Sequence, residues 1–322
     1  MNGPDRVLVM PITMMFAAGR IGVPYGRYAL DHRVLVEAQL RVAEEFGFDH
    51  LSAITETREA PDCGAAVRYF EDQPYAIDER QALLAAKGAL TRLRPPEPRE
   101  GRHMSDRLKA IEMLRRAVGE KKIVEGWVEG PCQAAADLRG INALMLDFHD
   151  DPEFVRDLFE FVLGVGLRFA RAQVEAGAGL VGIGDPASSL VGPRIYQEFV
   201  WPFQQRLVNG IHAAGARVRL HICGNTRRIL AGIARLGADI VDIDSMVPLA
   251  QARAAMGPDQ VLAGGIDPVR VLLNGTPAEV RAARTRCIEE AGPRYIVAGG
   301  CEIPRETPVE NLRALTASCR SR

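Results

Sequence analysis

The sequence predicts an α/β fold, a single (β/α)8 TIM barrel, on three observations. Short apolar runs alternate with helical patterns almost from end to end. Several runs are apolar on both faces, as parallel strands covered on both sides require. Polar residues capable of chemistry recur at the carboxyl ends of these runs, which in a closed barrel form one rim. A doubly wound open sheet is the alternative, but neither a G-x-G-x-x-G turn after the first strand nor a P-loop lysine motif is present.

The candidate strands are 7–14, 50–54, 123–128, 180–184, 218–222, 240–244, 260–263 and 295–298. Asp31 caps a helix whose Leu35, Ala38, Val42 and Phe46 share one face, and Gly47 stops it. Ile195, Phe199, Phe203, Leu207 and Ile211 form a buried stripe that Pro202 should kink or shorten. Thr276-Pro277-Ala278-Glu279 and Thr307-Pro308-Val309-Glu310 both read as capping boxes with proline in the first turn.

No linker divides the chain cleanly, so 1–322 reads as one domain. The stretch 57–122, between the second and third strands, is far longer than a usual βα connection. It holds a helix at 105–118 and reads either as a lid over the barrel mouth or as a decorative insertion.

Forty Lys and Arg nearly balance 41 Asp and Glu, leaving a net charge of −1. That balance gives no general attraction to nucleic acid or anionic membrane. No apolar run approaches the ~20 residues that span a bilayer. Residues 1–6 lack the order of a signal peptide, so a cytoplasmic protein with reduced cysteines is expected. Cys63, Cys132, Cys287 and Cys319 read as structural.

The rim residues are the informative ones. Arg20 follows the first strand, Glu56 the second and Asp185 the fourth; His221 and Cys223 end the fifth. Asp244 ends the sixth, Asp267 follows the seventh and Cys301 the eighth. Residues two apart on a strand point to one side, so the His221 imidazole and Cys223 sulfur can share a target. Gly299 and Gly300 permit a close turn that brings in the Cys301 sulfur. One nitrogen and two sulfurs suit zinc and leave a position for substrate, with Asp244 as a fourth, labile ligand. Plain burial of His221 and Cys223, and capping by the carboxylates, are the competing readings.

These residues resemble the uroporphyrinogen decarboxylase superfamily, and within it the zinc-dependent, corrinoid-linked methyltransferases. The resemblance spans nearly the whole chain. It is carried by Ala18-Gly19-Arg20, Phe46-Gly47-Phe48-Asp49, His221-Ile222-Cys223-Gly224-Asn225-Thr226, Gly265-Ile266-Asp267-Pro268 and Gly299-Gly300-Cys301. The family fold is a (β/α)8 barrel. Against the true decarboxylases, Phe16 stands where they carry an arginine, Glu56 at their essential aspartate and Cys301 at their last-strand histidine. Their tyrosine and serine fall near Asp137 and Gly192. The segments Thr55-Glu56-Thr57-Arg58-Glu59-Ala60, Asp62-Cys63-Gly64 and Glu71-Asp72-Gln73-Pro74 look closer to a bacterial group associated with O-demethylation.

The resemblance implies zinc on His221, Cys223 and Cys301, and a corrinoid supplied by a small partner protein. A methyl group then moves between an aryl methyl ether, or a related donor, and that corrinoid, or from methyl-corrinoid to a thiol. Glu56 and Asp185 would orient substrate or exchange a proton, and Arg20 and Asp267 would bind substrate. Two rivals stand: a porphyrinogen-type decarboxylase without metal, and a zinc-stabilised scaffold without activity. The sequence leaves the oligomeric state open, a homodimer being one arrangement it allows.

Overall fold

Along each central strand, residues alternate between a helix-covered face and the barrel interior, and this alternation determines what the interior can hold. The computed structural model describes residues 6–56 and 58–317. Its main sheet has seven parallel strands: β1 (His50–Ser52), β4 (Ile123–Glu129), β5 (Leu180–Gly184), β6 (Arg217–His221), β7 (Ile240–Ile243), β8 (Val261–Gly264) and β9 (Tyr295–Ile296), in that spatial order. The remaining two, β2 (Val67–Arg68) and β3 (Ala76–Ile77), form a small antiparallel hairpin within the long excursion.

The predicted first strand, 7–14, is reduced to a bridge. Val9 pairs in parallel with Val297, Met10 N–H donates to the Val297 carbonyl at 3.0 Å, and Asp49 N–H donates to Val9 O at 3.0 Å. The segment therefore lies between β9 and β1 and completes the ring. A longer ladder is blocked because Pro11 has no N–H and the Val9 N–H is taken by the Asp49 carboxylate at 2.7 Å.

In β6, Val218 and Leu220 are buried against the main core, while Arg219 and His221, on the other face, enter the barrel. The interior is layered. Met10, Leu180, Ile240, Ala263 and Ile296 form one apolar plug. Next comes a buried charged layer: Arg219 Nε donates to both Asp242 oxygens at 2.9 Å, and its Nη1 and Nη2 donate to Glu125 and to the Met10 carbonyl. His221 stands one step further toward the carboxyl rim.

The helices follow their sequence signals with two differences. Asp31 caps His32–Phe46, Gly47 ends it at φ 70°, and the Thr276/Glu279 capping box opens Pro277–Ala291. The second expected capping box does not form: Val309–Thr316 begins after Pro308, and the buried Thr307 hydroxyl has no partner. The 195–211 stripe is broken as expected, with a π-turn at Tyr196–Val200 directly before the helix that carries Pro202 near its start. The excursion helix extends over Arg102–Val118 and packs on β4 and on His32–Phe46, in the barrel's own helical layer. Among the described residues no helix is long and apolar enough to cross a membrane. The sequence readings on residues 1–5 and Cys319 lie outside the described residues.

Candidate metal centre and cavity

Three side chains from two distant parts of the chain meet at the carboxyl rim. His221 ends β6 and Cys223 follows it by one turn of the pleat. Cys301 is delivered by the turn after β9, where Gly299 bridges Ile266. A Cβ on Gly300 would lie 2.6 Å from Ser245 N, so only glycine lets the chain pass this close. His221 Nε2 is 2.9 Å from Cys223 Sγ, the two sulfurs are 3.5 Å apart, and Cys301 Sγ is 3.6 Å from Nε2. Ligand atoms around a tetrahedral zinc are roughly 3.5–3.8 Å apart, so two edges already match and the third must open by about 0.6 Å.

Without an ion, the cluster is arranged as a proton-sharing pair between His221 and Cys301. Burial works against protonating His221, but the hydrogen bond with Asp242 overrides it and lifts its pKa to about 10. Hydrogen bonding from Cys223 pulls the Cys301 thiol down to about 4 against the effect of burial, with His221 helping. The same contact with Cys301, together with burial, pushes Cys223 upward. The cluster thus favours a proton on the His221 ring and a thiolate at Cys301, and an ion entering it would displace that proton from the imidazole.

The carboxylate holding His221 is Asp242, whose Oδ2 lies 3.0 Å from Nδ1. It leaves Nε2 facing the sulfurs, and Arg219 fixes Asp242 in turn. Asp244, expected as a ligand, does something else. Its Oδ2 accepts the Gly224 N–H and its Oδ1 the Met246 N–H, both at 2.8 Å, so it braces the turn after Cys223. It is not among the residues whose ligand atoms cluster.

The three ligand-type residues open onto a cavity of about 190 Å3. Its wall carries Glu56, Arg58, Glu59, Arg107, Trp127, Glu129 and Glu302. Trp127 packs edge-on to His221, ring centroids 6.4 Å apart, and donates its indole N–H to Ser52 at 2.8 Å. Glu56 faces the cavity as expected: Oε1 accepts from the Tyr25 hydroxyl at 2.6 Å, Oε2 is buried without a partner, and burial raises its pKa. Glu302 accepts the Met15 N–H at 2.8 Å, and burial pushes it up to about 7.

The structure takes three other predicted residues away from the cavity. Arg20 is bound to Glu45 at 2.8 and 2.9 Å, because that carboxylate on the neighbouring helix is its nearest counter-charge. Asp267 caps the Pro268–Leu273 turn, accepting from Val269 and Arg270 N–H. Asp185 is fully buried under the start of helix Pro131–Arg139, accepting from Gln133 N–H and Gln204 Nε2 at 2.7 Å. Sequence reading missed Asp242, Arg58, Arg107 and Glu302. Asp242 was accessible by alternation, being two residues before Asp244 on the same strand face. Cys63, Cys132 and Cys287 are unpaired, and burial raises all three thiols.

A closed parallel barrel with a His-Cys-Cys cluster on its carboxyl rim defines a barrel protein equipped for a soft metal ion. The chain belongs to the uroporphyrinogen decarboxylase (URO-D) family, whose model matches residues 2–322. It is 31% identical to the methylcobamide:CoM methyltransferase MtbA of Methanosarcina mazei, over 66% of this chain and 62% of that protein. It is 29% identical to a methylated-thiol–coenzyme M methyltransferase of the same organism, over 66% of this chain and 57% of that protein. A uroporphyrinogen decarboxylase of Gloeobacter violaceus is 27% identical over 66% of this chain and 62% of that protein. The chain thus spans about three-fifths of the length of these curated relatives. Among solved structures, a methyltransferase from Methanosarcina mazei superposes with a TM-score of 0.84 at 22% identity, covering 98% of this chain and 94% of that one, and shares the fold.

Proposed function

We propose that this chain is a zinc-dependent methyltransferase that moves a methyl group between a small donor or acceptor and a corrinoid held by a separate small protein. The observation that carries the reading is the convergence of His221, Cys223 and Cys301 on one cavity. The donor set is soft, nearly tetrahedral along two edges and already charged at Cys301. Bound there, zinc would act as a Lewis acid, keeping a substrate thiol in its thiolate form near neutral pH or stabilising the oxyanion that an ether leaves when its methyl group departs.

The protein's own groups do the rest. Asp242 holds the His221 ring so that Nε2, rather than Nδ1, faces the two sulfurs. Asp244 and Gly300 fix the two turns that carry Cys223 and Cys301. Glu56 presents a buried carboxyl oxygen to the cavity, where it accepts or returns the substrate proton. Trp127 and Ile54 line the wall and exclude water. A second cavity of about 320 Å3 shares Pro186 and Cys223 with the first, so an approach for the corrinoid adjoins the cluster at Cys223. The 57–122 excursion contributes Arg58, Glu59 and Arg107 to the wall, so a lid motion would have to carry those residues.

The names of the relatives favour a thiol as the methyl partner over an aryl methyl ether. The decarboxylase reading fares worse, because Cys301, whose sulfur completes the cluster, stands where the true decarboxylases carry a histidine. The test is incubation of zinc-loaded protein with methylcobalamin and a panel of small thiols, followed by mass analysis of the products. A methylated thiol that disappears in Cys301→Ala supports the proposal. Bound zinc with no methyl transfer from any donor supports the scaffold, and chelator-insensitive release of CO2 from an acid supports the decarboxylase.

A further inference from the structure

In the charged layer beneath His221 lies a carboxylate that takes no part in the cavity wall. Glu125, on β4, is fully buried and does not line the cavity. Its Oε1 accepts from Arg219 Nη1 at 3.3 Å. Arg219 completes its fork with Asp242 at Nε, 2.9 Å to each oxygen, and with the Met10 carbonyl at Nη2, 3.1 Å. All three guanidinium nitrogens are therefore committed, to residues on three different segments of the barrel. A planar fork held at three corners has one orientation, and Asp242, which in turn lies 3.0 Å from His221 Nδ1, inherits it.

No second cation competes with Arg219 for Glu125. His50 Nε2 lies 3.6 Å from Glu125 Oε2, beyond hydrogen-bonding distance, and both atoms are buried without a hydrogen-bond partner. Burial pushes His50 down to about 3, with Arg219 adding to the effect, so the ring is neutral. Burial raises Glu125 as well, and Arg219 is the main influence keeping it charged. Toward the cavity, the Trp127 ring lies 5.8 Å from the Arg219 guanidinium carbon and covers the layer. Toward the other end, Met10, Leu180, Ile240, Ala263 and Ile296 fill the barrel. Shut off from water on both sides, the charges of this layer attract one another with little screening.

We propose that Glu125 is a positioning residue for the metal cluster: it aims the Arg219 guanidinium, which aims Asp242, which aims His221. Control of the imidazole then reaches two residues behind the carboxylate that touches it. The inference rests on the proposed function only for the identity of the ion, since the chain of bonds stands without it. A row of contacts amounts to coupling only when a change at one end moves the other.

The test therefore alters Glu125 and reads His221. Glu125→Leu removes the bond to Arg219 and leaves the Arg219–Asp242 pair balanced in charge, which favours retention of the fold. Glu125→Asp makes the same break more gently, keeping the charge one methylene short of Arg219. Glu125→Gln keeps an oxygen for Arg219 Nη1. Val218→Ala, on the same strand as Arg219 but buried against the main core, controls for lost stability alone.

Zinc affinity, measured by competition with a chromophoric chelator, should fall about 3–10-fold in Glu125→Leu and in the same direction in Glu125→Asp. Glu125→Gln should stay within about twofold of wild type, and Val218→Ala should lower Tm without changing affinity. Metal-free protein supplies a second readout: the His221 ring N–H bonded to Asp242, assigned by its loss in His221→Ala. Its exchange with water should quicken about 10-fold in Glu125→Leu. Unchanged affinity and exchange in a folded Leu or Asp variant overturn the proposal, and so does an equal loss of affinity in Val218→Ala. If wild-type protein binds no zinc, the zinc reading fails, and the exchange rates still decide whether Glu125 holds His221.

Discussion

Asp242 Oδ2 sits 3.0 Å from His221 Nδ1 while both Asp242 oxygens accept from Arg219 Nε at 2.9 Å. The imidazole is therefore fixed from behind by an ion pair inside the barrel, and only Nε2 is left for the cluster. Asp242→Asn keeps the shape but weakens this hold, and Asp242→Ala removes it. Metal affinity should fall about 10–100-fold in the alanine variant, as loss of a carboxylate behind a ligating histidine typically costs. Competition with a chromophoric chelator measures this, and an unchanged affinity would show that His221 is oriented by something else.

Asp244 provides a contrast. Because both of its oxygens are spent on backbone N–H groups, Asp244→Ala should leave one bound zinc per chain. Losing two charge-assisted bonds should lower stability by roughly 2–4 kcal/mol. Metal content and denaturant unfolding, run on the same preparation, check both halves. Loss of the ion with stability intact would restore Asp244 as a ligand.

The buried Asp185 yields a pH prediction. Burial lifts its pKa from 3.8 to about 6 in the folded chain, against the pull of its bonds from Gln204 and Gln133. A raised folded pKa contributes stability that is fully present below 3.8 and is lost as pH rises through about 6. Asp185→Asn should therefore flatten stability between pH 4 and 6, a change on the order of a few kcal/mol relative to wild type. Denaturant midpoints across that range measure the difference, and parallel curves for the two proteins would count against it.

Gly182 pairs with Trp127 in the β4–β5 register, and a Cβ there would sit 2.4 Å from the indole. Gly182→Ala should displace the ring that lines the cavity and packs against His221, at a cost of about 1–3 kcal/mol from overpacking. A lowered Tm together with a shifted indole emission is the expected result. An unchanged emission spectrum would mean that the ring has not moved.

Much of this was legible in the sequence, for identifiable reasons. Strand positions and the His221-Cys223-Cys301 convergence follow from two-residue periodicity and from the rule that strand ends share a rim, both of which are local signals combined with one topological fact. The first strand read too long because its apolar run hides Pro11 and a side chain, Asp49, that competes for the ladder. Arg20, Asp185 and Asp267 were placed at the rim by their positions after strands, but each is bonded to a nearer partner than the cavity. Arg107 was invisible in sequence because nothing local marks a helix arginine whose donors are left unpaired after packing.

The proposed activity requires one ion shared by an imidazole and two sulfurs. Metal analysis of protein purified without added chelator, comparing wild type with His221→Ala, Cys223→Ala and Cys301→Ala, tests it. The expected result is about one zinc per wild-type chain and loss of tight binding in each variant while the fold is retained. Wild-type protein that takes up no zinc, or a folded Cys301→Ala variant that holds it as tightly as wild type, would contradict a shared ion at this site.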